Sequence, residues 1–131
     1  MRGTLSGMGR RSRQRREAGK LSAPTTDYTN ADGNVLTLRG AMTPATRREY
    51  AEVLAGGGAA RAAATQEDAW QRAVEFLFER LVVRWEIAGA PIEHQKELLA
   101  RFRFASQDER VWIRGVLREH LSEWFPDVEA P

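Results

Sequence analysis

Large apolar side chains recur along the middle of the chain at intervals of four, three, four and four residues. They are Trp70, Val74, Leu77, Leu81 and Trp85. This spacing places all of them on one face of an α-helix. Thr65 with Asp68 three residues later predicts the start of that helix as a capping box, and Gly89 followed by Pro91 predicts its end. The sequence therefore predicts one long amphipathic helix over residues 65–88.

Three further helices are predicted from their start signals and apolar faces. Thr43 suits an N-cap and Pro44 suits the first helical position, which predicts a helix to about residue 55. A third helix is predicted to begin at residue 91 or 92. Ser106 and Glu109 form a capping box for a fourth, which should end before residue 126. Short connections between the last three helices favour antiparallel neighbours.

A short β element is predicted before the helices. Asp32-Gly33 is a turn signal, and the β-branched, alternating residues 35–38 follow it. Residues 27–29 would form the partner strand of a hairpin, with Leu36 and Leu38 facing the same way. The predicted fold class is mainly α: a small antiparallel bundle of three to four helices with a short N-terminal β-hairpin. Residues 59–64 have no apolar face and are interpreted as a linker or a frayed lead-in turn.

The N-terminal residues differ from the rest in charge. Residues 1–20 contain seven basic residues and one acid, which leaves thirteen basic and seventeen acidic residues in the remainder. Gly, Ser, Arg and Pro without periodicity cannot bury enough apolar area to become ordered. We therefore predict a disordered basic arm over residues 1–26 and one helical domain over residues 27–131. Eighteen of the twenty basic residues are Arg. Selection for bidentate contacts could explain this bias, and the codon usage of a GC-rich genome explains it more simply.

No group of residues indicates catalysis. The absence of Cys excludes disulfides and thiolate sites. His94 and His120 are the only histidines, and neither has a second His at helical spacing for a metal. His120 is expected near the core edge, bonded to a carbonyl oxygen. The glycines at 56–58 are not followed by Gly-Lys-Ser/Thr, so no phosphate loop is predicted. We predict no catalytic residue, no metal and no cofactor, and we predict that the protein is not an enzyme.

Two sets of residues are candidates for binding. The first is a partner-docking set on and after the fourth helix: Trp112, Trp124, Phe125, Arg110, Arg114 and Arg118. Exposed aromatic rings there would dominate interface energetics, and an arginine row at four-residue spacing could grip an acidic helix. The second set would contact nucleic-acid phosphates from the basic arm, and consists of Arg10, Arg11, Arg13, Arg15 and Arg16. Solvated or structural roles remain alternatives for both sets.

The order of parts resembles the small tail assembly chaperones of long-tailed bacteriophages. The resemblance covers about residues 30–126: the strand Asp32–Arg39, the helix start at Thr43-Pro44, and the helical block from Glu75 to Trp85. It implies a largely helical, non-enzymatic protein that coats a helical tape-measure protein and recruits tail-tube subunits. Self-association stays open, as does nucleic-acid binding. No apolar run is long enough to cross a membrane, and we expect a cytoplasmic location, in the bacterial host if the protein is phage-encoded.

Overall fold

The computed structural model describes residues 23–56 and 65–131. The strands of these residues are β1 (Thr25–Thr29), β2 (Val35–Arg39), β3 (Val82–Ile87) and β4 (Ala90–Ile92). The helices are α1 (Pro44–Leu54), α2 (Gln66–Leu81), α3 (Gln95–Arg103) and α4 (Gln107–Trp124). The strands form one antiparallel sheet in the order β1-β2-β3-β4. The prediction of a mainly α bundle is therefore wrong, because the described residues form a mixed α/β fold.

The hairpin at the entrance is confirmed. β1 pairs with β2, and residues 30–34 make the turn between them. The side-chain oxygen of Asn30 accepts hydrogen bonds from the backbone N–H groups of Asp32 and Asn34, each at 2.9 Å. Gly33 has φ +83°, a conformation that glycine adopts without steric cost. β1 begins two residues before the predicted domain boundary at residue 27, while residues 1–22 of the predicted arm lie outside the described residues.

The second helix is shorter than predicted. It ends at Leu81, and the residues expected to continue it to Ala88 form β3. Val82 and Val83 are β-branched, which favours the extended backbone over the helix. Trp85 lies on the strand opposite Leu36 and is 1% exposed. Its spacing from Leu81 satisfies the helical period, although the backbone has already become extended.

The predicted helix-stop signal belongs to a second hairpin. Ala88 and Gly89 have φ values of +52° and +80°, and they form the two-residue turn between β3 and β4. Pro91 lies in the short edge strand β4, where a missing N–H is tolerated. The third helix therefore begins at Gln95, with His94 as its N-cap, and not at residue 91 or 92.

The helix starts that depend on capping are confirmed. The Oγ1 atom of Thr43 accepts a hydrogen bond from the N–H of Thr46, and Pro44 is the first helical residue. Both predicted capping boxes are reciprocal, those of Thr65 with Asp68 and Ser106 with Glu109. The predicted linker at residues 59–64 lies outside the described residues.

The core lies between one face of the sheet and the helices. Its strand residues share that face through the register of the sheet: Tyr28, Leu36, Leu38, Val82 and Trp85. Its helix residues include Tyr50, Leu77, Phe78, Leu81, Phe102, Ile113, Leu117 and Leu121. The opposite face of the sheet is polar, since Thr37 bonds to Asp27 at 2.7 Å and Arg84 pairs with Glu86 at 3.0 Å. Residues 23–56 and 65–131 thus form a two-layer structure in which no described element covers the second face of the sheet.

Candidate functional site

The aromatic residues of the predicted docking set pack against the domain. Trp124 is half-buried and its indole N–H donates to the hydroxyl of Thr26 at 2.9 Å, which attaches the end of α4 to β1. A Cβ added at Gly40 would meet the Trp124 ring at 2.8 Å, so the ring lies against that glycine. Phe125 is 2% exposed and belongs to the core. Trp112 is half-buried and packs against the core. None of the three is a fully exposed aromatic.

The arginine row on α4 makes contacts within the chain. Arg110 donates to the carbonyl oxygens of Arg103 and Ala105, and its guanidinium lies 4.9 Å from the Phe102 ring centroid. Arg110 thereby holds the corner between α3 and α4 together.

The other two arginines of the row meet at Pro131. Arg114 Nε lies 3.3 Å and Arg118 Nη1 lies 2.7 Å from the backbone oxygen of that residue. Arg114 also stacks 5.1 Å from the Trp70 ring centroid and lies 3.6 Å from a Glu67 carboxylate oxygen. The structure therefore brings Arg114 and Arg118 together around one segment of the chain, and places Arg110 at a separate corner.

Two exposed apolar residues were missed by the sequence analysis. Phe104, which caps the C-terminus of α3, is 86% exposed, and Val111 on α4 is 61% exposed. The helical period could have found both. Phe104 lies two residues beyond the inward Phe102, and Val111 lies two residues before the inward Ile113, so each falls on the opposite side of its helix. Phe104 and Val111 lie on either side of the α3–α4 connection along the chain and are together named the corner patch below.

A groove that includes Val111 in its lining lies between α2 and the α3–α4 corner. Its volume is about 470 Å³, and buried Val74 and Phe102 contribute apolar surface to it. Val111 forms part of its wall, and the groove continues along α2 into a second depression that shares Gln71, Phe102 and Arg110. Charged side chains of both signs line the two depressions: Glu67, Asp68, Arg72, Glu75, Glu79, Arg110 and Arg114. The exposed lining of the groove is therefore at least as polar as it is apolar, and Val111 is an exposed apolar residue within it.

His120 lies in the core, between β1, β2 and α4. It is 0% exposed, and its Nε2 lies 2.9 Å from the carbonyl oxygen of Arg39, as expected from its position on the helix. Because a carbonyl only accepts, Nε2 carries the proton. Nδ1 lies 2.8 Å from the Tyr28 hydroxyl, which therefore donates to it. Burial lowers the pKa of His120 and raises that of Tyr28 to about 12. Both groups are neutral at physiological pH, and their burial indicates a structural role for the pair.

Within residues 23–56 and 65–131 no cluster of three His, Asp or Glu side chains could hold a metal ion. No helix in the same part of the chain is long and apolar enough to span a bilayer. The arm residues Arg10, Arg11, Arg13, Arg15 and Arg16 lie outside it. No protein-family model, curated protein or solved structure matches this chain.

Proposed function

We propose that this protein is a non-enzymatic binding or assembly factor that docks a helical partner on the corner patch and the adjoining groove. The exposure of Phe104 carries the proposal. A phenylalanine that leaves most of its ring in water forgoes roughly 1.5–3 kcal/mol of burial free energy, which a partner would recover. Val111 adds a second apolar contact at the edge of the groove.

The shape and charge of the surface support a helix as the partner. The groove follows residues 68, 72, 75 and 79 of α2, which recur at helical spacing and alternate between acid and base at their first three positions. An amphipathic helix could lay its apolar stripe on the corner patch and pair its flanking charges with these residues. From the resemblance to tail assembly chaperones we propose a tape-measure-like protein as this partner, with tail-tube subunits as a second class.

Co-expression with the products of neighbouring genes tests the proposal. The tagged chain should recover one long helical protein, and Phe104→Asp or Val111→Asp should each reduce the recovery by about tenfold, because a buried carboxylate has no partner there. Ser122→Asp is the matched control, since it adds the same charge at an exposed position of α4 away from the patch. Equal recovery by all four chains would reject the corner patch as the docking surface.

The basic arm supports one alternative function. Arg10, Arg11, Arg13, Arg15 and Arg16 could bind nucleic acid, and the net charge of +6 over residues 1–20 favours this. The co-expression experiment separates the two functions. Recovery of nucleic acid alone, lost on deletion of residues 1–20 and unaffected by Phe104→Asp, would replace the partner-docking function with the alternative.

A further inference from the structure

Residues 126–131, named the tail segment below, lie against α1 and α4 without forming a helix or strand. The segment leaves α4 through one turn, in which the N–H of Val128 donates to the carbonyl of Phe125 at 2.9 Å. Val128 and Ala130 pack against the core, and Pro131 is buried. The tail segment is therefore bound against the domain in the manner of a peptide.

The groove recognises the tail segment largely through its backbone. The Tyr50 hydroxyl donates to the carbonyl of Glu129 at 2.6 Å, while Arg114 and Arg118 donate to the backbone oxygen of Pro131. Burial raises the pKa of Tyr50, so its hydroxyl keeps the proton that it donates. One side-chain contact is added, between Arg47 and the carboxylate of Asp127 at 3.3 Å.

The donors of the groove are positioned by the domain as well as by the tail segment. The Arg47 guanidinium stacks 5.3 Å from the Phe125 ring centroid, and Arg114 is fixed between Trp70 and Glu67. Side chains held in place by other contacts lose little entropy when a peptide binds, so the groove is preorganised for its ligand.

We propose that this groove is a peptide-binding site whose ligand in trans is the tail segment of a second copy of the chain. Every contact described above would be reproduced when two copies exchange their tail segments, because receptor and ligand are both present in each copy. Pro126, exposed directly after the buried Phe125, marks the place where an exchanged segment would depart. The site does not include the corner patch, although Arg114 and Glu67 also line the groove that contains Val111, and the inference does not depend on the proposed function.

The tail segment can bind within its own chain or to a second copy, and these two arrangements compete. A short connection gives the bound tail segment a local concentration on the order of millimolar. The wild-type chain at micromolar concentration is therefore expected to be mostly unexchanged, with exchange favoured when the contact within one chain is weakened.

Charge reversal of the Arg47–Asp127 pair tests the proposal. In either single variant, Arg47→Asp or Asp127→Arg, the pair is repulsive both within one chain and between identical chains. In an equimolar mixture, each exchanged contact joins opposite charges, whereas each unexchanged contact joins like charges. We expect about tenfold more dimer in the mixture than in either variant alone, measured by sedimentation velocity and native mass spectrometry. The double variant R47D/D127R restores the pair within one chain and should match the wild type.

Both side chains lie at the surface, with 38% and 76% of their areas exposed, so the variants should fold, and circular dichroism verifies this. A mixture that sediments as the sum of its separate components would overturn the proposal. A labelled peptide of residues 125–131 gives a second readout. The Asp127→Arg chain should bind the wild-type peptide more tightly than it binds the same peptide carrying D127R. Equal binding of the two peptides would also overturn the proposal.

Discussion

Arginine stacked on an aromatic ring is a recurring contact in the described part of this domain. Arg47, Arg80, Arg101, Arg110 and Arg114 each place a guanidinium 4.5–5.3 Å from a ring centroid. Contacts of this kind occur roughly once per 70–80 residues in proteins, so five within the described residues is a high density. A planar guanidinium can cover a ring and pair with a carboxylate at the same time, which lysine cannot do. The arginine bias therefore has a structural use in this fold, whatever its origin in codon usage.

Arg101→Lys tests that use. Arg101 lies 4.9 Å from the Trp85 ring centroid and donates to Glu109 at 2.6 Å, a hydrogen bond that lowers the pKa of Glu109. Lysine keeps the charge but loses the planar contact. We expect a loss of about 0.5–1.5 kcal/mol in the unfolding free energy, measured by urea denaturation. Arg48→Lys, at an exposed position on α1, is the control and should change stability by less than about 0.5 kcal/mol.

The buried His120 predicts how stability depends on pH. Burial lowers its folded pKa below the ordinary 6.5. As the pH falls below 6.5, the unfolded chain takes up a proton that the folded chain does not, so the folded state loses stability by up to about 1.4 kcal/mol per pH unit until the folded pKa is reached. Above pH 6.5 this contribution is fully present. His120→Gln removes the titrating group and should give a flatter dependence of stability on pH below 6.5 in urea denaturation, and equal slopes for the two proteins would contradict the assignment.

At the scale of elements, the sequence correctly predicted the helix starts and the hairpin that are determined by residues close together in the chain. The capping residues Thr43, Thr65 and Ser106 begin helices as predicted, because each satisfies N–H groups within its own first turn. The β1–β2 hairpin was found for the same reason. β3 was missed because it pairs with β2 across α1 and α2, and no local pattern records a partner so distant along the chain. The pattern of Gly89 followed by Pro91 fits the end of a helix and a hairpin at the sheet edge equally well, so it did not distinguish the two.

The candidate site was predicted less well than the fold elements, again for a physical reason. The sequence identified Arg110, Arg114 and Arg118 as one row, and only tertiary contacts show that the last two bind the tail segment while Arg110 binds the α3–α4 corner. The apolar pattern of α2 indicated its inward face correctly, since Val74, Leu77 and Leu81 are buried. The sequence did not show that Trp124 would be covered by β1 or that Phe104 would stay uncovered, since both depend on neighbours in space.

The β3–β4 turn offers a stabilising substitution. Ala88 has φ +52°, a left-handed conformation that costs an ordinary residue roughly 1–2 kcal/mol, and Asn tolerates it better. Ala88→Asn creates an Asn-Gly turn and should raise the unfolding free energy by about 0.5–1 kcal/mol, seen as a higher Tm. The Ala88 N–H would keep its bond to Asn34 Oδ1. Gly89→Ala, at φ +80°, should lower the Tm, and a rise with that variant would contradict the turn geometry.

Two glycines provide a matched test of how α4 packs on the hairpin. Gly40→Ala places a methyl group 2.8 Å from the Trp124 ring and should cost about 1–3 kcal/mol through strain. Gly115→Ala on α4 meets nothing within 4 Å and should add about 0.5–1 kcal/mol from helix propensity. Opposite shifts in the midpoint of urea denaturation are expected from the same chemical change. If both shifts have the same sign, the Trp124 contact with Gly40 is not maintained in solution.

For the whole molecule, an open sheet raises the problem of unpaired strand edges. Bonds from Asn30 N to Asn34 O and from Gly40 N to Pro24 O lie at the two ends of the β1–β2 ladder. By the alternation of antiparallel pairing, the odd-numbered residues 25, 27 and 29 direct their backbone groups away from β2. Among the described residues β1 pairs only with β2, and β4 at the other edge is three residues long and contains Pro91. Short length, proline and a central charge are the usual means of preventing edge-to-edge association.

Asp27 supplies the charge at the centre of the β1 edge, and its removal should change how whole molecules associate. Asp27→Val removes the repulsion between two β1 edges and adds a residue with high strand propensity, so we expect concentration-dependent oligomers in sedimentation velocity and increased light scattering during refolding. Asp32→Val makes the same substitution in the turn, where no strand edge is available, and should remain like the wild type. Asp27→Asn separates charge from propensity, because it removes the charge without adding strand preference. Association of the Asp32 variant to the same extent would attribute the effect to general loss of charge and remove the special role of the β1 edge.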